Sequence, residues 1–486
     1  MNRPADSILI DREGELRELE RLLRSGTPQL ALLTGRRRVG KTFLLTHGWG
    51  GAAFFLFTAA RTTGEINRRQ LLEDLAGWSG EEIRAEDYPT WRAVFNLLLE
   101  LRAPEPLVVV LDEFQYLADD AEGVASVASE LNAAWERRRA PRPLLLVLSG
   151  SAVGTMEALA AGGGPLYGRF AWQHRLQPFG YWHAGQLAGF AEVRDRALAY
   201  GIFGGTPKYL AAVDPTQSVA ENATRLLLAP TGEVRLLVET ALDQEDGLRD
   251  VAKYRAILRA VAGGCTERNE IAQRTGLAND AALRDKLARL IELGYVETRA
   301  NVDARPNEPV RYGIADAAFR FHQRFVEPAT SMLERYPAER VWASSVAPHL
   351  DAYMGREFER IAAQAYDRRA GALGLPMVAS WGRWEGVDRE RRPLEIDLVA
   401  SLAGGGTLTG AVKWASAPVG AKVHRDHMEM LRRAADAGRR WAHEALEPGA
   451  PILYVAAAGF APGFREAAEA SGHPVICWAL DDLYAA

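Results

Sequence analysis

The chain has 486 residues, 48% hydrophobic and 25% charged, with a formal net charge of -5. That length predicts about three domains, and the acidic balance excludes a wholesale basic coat for nucleic acid while leaving room for local basic faces. Two distant cysteines, Cys265 and Cys477, exclude a disulfide framework and fit a reducing cytoplasm, residues 1–10 do not read as a signal peptide, and the longest apolar runs, such as 107–111 and 144–148, are too short to span a bilayer.

Asp11-Arg12-Glu13 opens an amphipathic helix with Leu16, Leu19, Leu22 and Leu23 on one side. From there to residue 215, short apolar runs alternate with amphipathic stretches, the pattern of a parallel sheet covered by helices. Strands are predicted at 29–34, 53–58, 107–112, 144–149 and 171–177, with helices between them, for example at 89–101 and 122–138.

The segment Gly35-Arg36-Arg37-Arg38-Val39-Gly40-Lys41-Thr42 matches G-x-x-x-x-G-K-[ST] at every fixed position, between a predicted strand and a predicted helix. Glycines let backbone amides curl around a phosphate, and the helix start adds partial positive charge. These eight residues are therefore expected to cradle ATP, with Lys41 reaching the β- and γ-phosphates and the Thr42 hydroxyl binding Mg²⁺. The buried strand 107–112 ends in two acids. Asp112 is expected to hold Mg²⁺, and Glu113 to orient or deprotonate the attacking water, which points to hydrolysis. Ser149 and Ser151 close the next predicted strand; beside the acidic strand their hydroxyls would sense the γ-phosphate, and a simple strand-ending turn is the alternative. Arg169, in Pro165-Leu166-Tyr167-Gly168-Arg169, is a candidate arginine finger, in its own chain or in trans, or else a plain surface residue.

Residues 216–345 read as helical with one compact unit inside. Helices at 254–261, 268–275 and 280–293, then strands at 295–299 and 310–314 joined by a polar loop, predict a winged helix. The third helix has Leu283, Leu287, Leu290 and Ile291 on one side. Arg284, Lys286 and Arg289 on that helix, with Arg299 and Arg305 in or beside the wing, suit DNA phosphates, although Asp280, Asp285 and Glu292 dilute the charge. Cys265 reads as a small core residue. From residue 346 a second α/β pattern begins, with a helix at 353–369 and strands at 394–400, 410–414 and 452–457. Gly404-Gly405-Gly406 reads as a hairpin tip, because no Lys-Ser/Thr follows it.

Several motifs follow one another in a familiar order: Asp11-Arg12-Glu13 with Glu15-Leu16, the Arg-rich loop, Leu111-Asp112-Glu113-Phe114-Gln115, Gly150-Ser151, Pro165–Arg169 and Gly204-Gly205-Thr206-Pro207-Lys208-Tyr209-Leu210. In this order the sequence resembles the prokaryotic "archaeal ATPase" family of AAA-like P-loop proteins, itself similar to signal-transducing NTPases and replication-initiator ATPases. The resemblance implies ATP binding with Mg²⁺, hydrolysis, contact with DNA, and a C-terminal domain like that of restriction endonucleases. The organisation it implies is a P-loop domain over 1–215, a helical linker with a winged helix over 216–345 (the winged helix at 250–315), and an endonuclease-like α/β domain over 346–486.

The family pattern further implies a metal site from Glu359, Asp397 and an acid-x-Lys on the following strand. Lys413 stands at the lysine position, but Ala411 replaces the second acid, so lost or weakened cleavage is expected. Glu395 lies two residues before Asp397 and shares its face, which offers a second carboxylate; a solvated strand residue is the plainer reading. Lys413 with Arg425, His424 and His427 offers a contact for DNA or a partner, the histidines being expected at the surface rather than in a metal cluster. The leading expectation is an ATP-driven switch acting on DNA or a protein partner, away from membranes, and a homo-oligomer if Arg169 acts in trans. An ATP-gated nuclease effector, such as one for defence, and a nucleotide-held regulator or scaffold are the alternatives.

Overall fold

The computed structural model describes residues 10–47, 49–138, 142–245, 247–302 and 310–485; Arg305, expected in the wing, and residues 1–9 lie outside them. Contacts divide the chain into Met1–Pro178 and Phe179–Ala486.

In the first unit, α1 (Glu13–Leu23) precedes β1 (Gln29–Thr34) and α2 (Lys41–Thr46), then β2 (Ala53–Thr58), α3 (Gly64–Ser79) and α4 (Trp91–Glu100). β3 (Leu107–Asp112), α5 (Ala121–Arg137), β4 (Leu144–Gly150), α6 (Val153–Ala160) and β5 (Trp172–Arg175) complete it. The five strands form one parallel sheet in the order β2-β3-β4-β1-β5. Every residue of β3 and β4 is buried, which is why these strands read as unbroken apolar runs. One face packs Leu30, Leu32, Val109 and Leu146 against α3, α4 and α5, and the other packs Leu33, Val108 and Val147 against Leu19 and Leu22 of α1. Strand β4 thus lies between the strand that delivers the Gly35 loop and the strand that delivers Asp112. This is a P-loop ATPase fold.

In the second unit, α7 (Val251–Ala262), α8 (Arg268–Thr275) and α9 (Ala281–Glu292) lead into an antiparallel ribbon of β6 (Val296–Arg299) and β7 (Arg311–Ile314). Asp280 caps α9 by accepting from the Leu283 amide at 3.1 Å, and Leu283, Leu287 and Leu290 are buried. The order is that expected of a winged helix. Cys265 is half-buried rather than a core residue, since it sits in the turn after α7.

The unit also contains helices over 181–244 and 317–346 and a separate mixed sheet, β12-β11-β10-β9-β8, built from β8 (Val378–Val387), β9 (Pro393–Leu402), β10 (Thr407–Lys413), β11 (Ile452–Ala456) and β12 (Val475–Ala479). β8, β9 and β10 pair antiparallel, and β10, β11 and β12 pair parallel. Gly405 and Gly406 turn between β9 and β10 with φ of 87° and 88°, the hairpin tip read from sequence. Helix α10 (Ala347–Arg369) covers one face through Phe358, Ile361 and Ala365. Helix α11 (Lys422–Asp436) covers the other through Met428, Leu431 and Ala435. Among the described residues, no helix is long and apolar enough to cross a membrane.

Candidate functional site

The loop after β1 is built around a glycine that no other residue replaces. Gly35 has φ of 152°, and a Cβ there would lie 2.8 Å from the Leu176 carbonyl oxygen. Arg38 and Gly40 also take positive φ, 73° and 95°, which curls the loop before α2 begins at Lys41. Lys41 is buried, and its Nζ donates to the carbonyl oxygens of Gly35 at 2.7 Å and Arg36 at 3.3 Å. The Thr42 hydroxyl donates to Asp112 Oδ2 at 2.7 Å. Asp112 is 1% exposed, and its other oxygen accepts from the Glu113 amide at 3.0 Å. The structure therefore brings the expected loop and the expected metal-binding acid together across two non-adjacent strands.

Glu113 leaves the sheet with φ of 53°. Its Oε2 accepts from the Ser151 amide at 3.1 Å, the Ser151 hydroxyl at 2.6 Å and Gln115 Nε2 at 2.5 Å. Burial would raise this carboxyl, but the Lys41 charge, the hydrogen bonds from Ser151 and Gln115 and the Arg37 charge outweigh it and hold the group below its ordinary range. Glu113 is thus an ionised acceptor. Ser149 is level with Leu33 of β1, and its fully buried Oγ has no hydrogen-bond partner among the described residues. Gln115 was not foreseen as part of this cluster, because nothing local in the sequence ties it to Ser151. Arg169 is not brought to the loop. Its Nε donates to Asn132 at 3.0 Å and its guanidinium pairs with Glu136. The Ala171 amide donates to the Leu30 carbonyl, so Arg169 stands at the start of β1 while the Gly35 loop leaves its end, roughly 13 Å of strand away.

A second cleft, of about 300 Å³, lies in the C-terminal sheet and is lined by Glu359, Arg383, Glu395, Asp397 and Lys413. The four residues singled out from sequence do converge. Asp397 Oδ2 accepts from Lys413 Nζ at 2.9 Å and from the Val412 amide at 3.0 Å. Arg383, which sequence reasoning missed, meets Glu359 at 3.0 Å and Glu385 at 3.0 Å and also pairs with Glu395. Burial pushes Glu359 up to about 7, against the pull of Arg383 and with repulsion from Asp397. Ala411 is 5% exposed and faces apolar neighbours. Among the described residues, no group of three or more His, Cys, Asp or Glu is arranged to hold a metal ion. His424 and His427 are not surface groups: both are buried on α11, bonded to the Tyr454 hydroxyl at 2.7 Å and to the Thr409 hydroxyl at 3.0 Å. Arg425 is exposed.

A family model described as archaeal and bacterial proteins of unknown function matches residues 322–428. An uncharacterized protein of Methanocaldococcus jannaschii is 24% identical over 399 residues, 81% of this chain and 84% of its own. Among solved structures, a Walker-type ATPase of Pyrococcus abyssi is 24% identical and covers 65% of this chain and 96% of its own, with a TM-score of 0.47. The ORC2 protein of Aeropyrum pernix is 16% identical and covers 68% and 96%, with a TM-score of 0.42. The fold of the first unit rests on its own strand order and loop.

Proposed function

We propose that this protein is a cytoplasmic ATPase whose nucleotide state controls its binding to DNA or to a protein partner. One observation carries the nucleotide half: Thr42 and Asp112, from a phosphate-type loop and a separate strand, meet at 2.7 Å beside the buried Lys41. The donor set fits its ligands. A hydroxyl and a carboxylate are hard oxygen ligands that suit Mg²⁺, and the orphaned Ser149 hydroxyl is a polar group in need of a partner. Bound Mg²⁺ would offset charge on the phosphates.

In this reading, residues 35–42 hold ATP, Lys41 turns from the loop carbonyls to the phosphates, and Ser149 senses the terminal phosphate. Glu113, kept ionised, orients the attacking water and takes its proton. Arg169, paired far along β1 from the loop, serves a neighbouring copy as a finger. Turnover unchanged in Arg169→Ala would remove it from that role. The domain limits 1–215, 216–345 and 346–486 belong to the same proposal, with the α7–β7 module as a winged helix and the last sheet as an endonuclease-like domain. DNA contact is supported by the exposed Arg284 on α9. Fluorescence anisotropy on a labelled duplex should give different affinities with a non-hydrolysable ATP analogue and with ADP, and Lys41→Ala should abolish the difference. Equal affinities in the parent would remove the switch.

A DNA-cleaving role is the second reading, favoured by the meeting of Glu359, Glu395, Asp397 and Lys413 in one cleft. Ala411 and the Arg383 guanidinium among the acids weigh against it, so plasmid incubated with Mg²⁺ or Mn²⁺ is expected to stay intact. Cleavage that disappears in Asp397→Ala would promote this reading.

A further inference from the structure

The basic residues of the β6–β7 ribbon face acids of their own chain. Arg311 pairs with Glu385 of β8. Arg299 is bound to Glu297 at 2.7 Å, and Glu297 also takes both terminal nitrogens of Arg360 on α10, at 3.1 Å and 2.5 Å. Just beyond β6, Asn301 pairs backbone to backbone with Arg383. Its side-chain amide donates to the Glu385 carbonyl at 3.1 Å and accepts from the Glu385 amide at 3.2 Å, so it completes the edge of β8 as a strand residue would. Val302 follows and packs against the cluster that contains Trp384 and Ile396.

A ribbon that reads DNA needs its cations for phosphates. Here the two that flank it, Arg299 and Arg311, are neutralised within the second unit. The pairs are half-exposed, with side-chain exposures of 31–45% for Glu297, Arg299, Arg311 and Glu385. Exposed pairs of this kind are individually weak and are screened by salt, so a run of phosphates can compete with them.

We propose that the ribbon is an autoinhibitory clasp: closed on β8 and α10, with its cations held by Glu297 and Glu385, it withholds Arg299 and Arg311 from DNA; opening it frees Arg311, and phosphates then displace Glu297 from Arg299. The inference rests on the DNA reading above and adds its control. It also joins two parts of the second unit, because the ribbon holds the same stretch of β8 from which Arg383 reaches Glu359 and Glu395.

The test uses the full chain, a fluorescein-labelled duplex of random sequence, and Glu297→Gln/Glu385→Gln, which removes both acidic partners. Glu334→Gln/Glu339→Gln, at two exposed sites, makes the same change in net charge elsewhere. The clasp variant is expected to bind about tenfold tighter than the parent, with a salt dependence steeper by roughly two phosphate contacts, while the control pair matches the parent. Equal gains in both variants, or no gain in the clasp variant, would overturn the proposal. Amide exchange across 296–302 is expected to quicken in the clasp variant with the rest of the chain unchanged; unaltered exchange there contradicts the clasp itself. Absence of DNA binding by every protein, with quickened exchange, contradicts the DNA reading and with it the inhibitory role.

Discussion

His427 is the residue whose chemistry departs furthest from its sequence reading. Burial pushes its imidazole down to about 4, with Asp397 pulling the other way and His424, Lys413 and His473 adding repulsion. Because the folded value lies below the unfolded one, the unfolded chain binds the extra proton first, and stability falls as pH drops from about 6.5 to about 4. The loss attributable to this group is about 3 kcal/mol at most. Glu359 has the opposite sign: its value is raised to about 7, so it costs stability as pH rises through the same range. The difference between parent and His427→Gln isolates the histidine: urea denaturation from pH 7 to pH 4 should show a shallower loss in the variant, and parallel curves would contradict this assignment. The burial was legible in principle, since His424, His427, Met428, Leu431 and Ala435 follow a helical face. The strand, loop and helix of 29–46 were legible because the loop's geometry fixes residue types at contiguous positions. The part of Gln115 beside Glu113 and Ser151, and that of Arg383, were not, because they depend on how distant segments pair.

At the scale of elements, the buried central strands β1, β3 and β4 were legible from their apolar runs, and their bounds agree closely with the reading. β8 was missed: it is an edge strand with register shifts near Ser380 and Trp384, and Gly382, Arg383 and Gly386 break its alternation. β12 was missed because five residues after a Gly-His-Pro turn give too short a signal. Packing between the elements is pinned at one buried ion pair. Arg320, on the helix Ala317–Phe321, donates to both oxygens of Glu357 on α10 at 2.7 Å and 2.5 Å, and it also meets the Ala315 carbonyl at 3.0 Å, just past β7. Glu357 is 4% exposed. Removing the cation strands a buried carboxylate, so Arg320→Ala should destabilise the second unit by about 3–5 kcal/mol, whereas replacing both partners by Met and Leu should recover most of that. Denaturant melts decide it: an Arg320→Ala protein as stable as the parent would show that the pair is not structural.

For the whole molecule, the phosphate-type loop lies in the first unit, and the second unit carries the β6–β7 ribbon and the cleft of Glu359, Asp397 and Lys413. In the first half the motifs pointed to Lys41, Thr42 and Asp112, which the structure brings together. In the second half they gave the helices and ribbon of 251–314 and three strands of the last sheet, but not β8 and β12, nor the ribbon's attachment to β8. Phosphate release from ATP tests the central claim most directly, comparing parent, Lys41→Ala and Glu113→Gln with and without double-stranded DNA. The account predicts parent turnover that rises with DNA and falls on the order of 100-fold or more in both variants. Turnover of the parent no greater than that of Lys41→Ala, in the presence of DNA as in its absence, would contradict it.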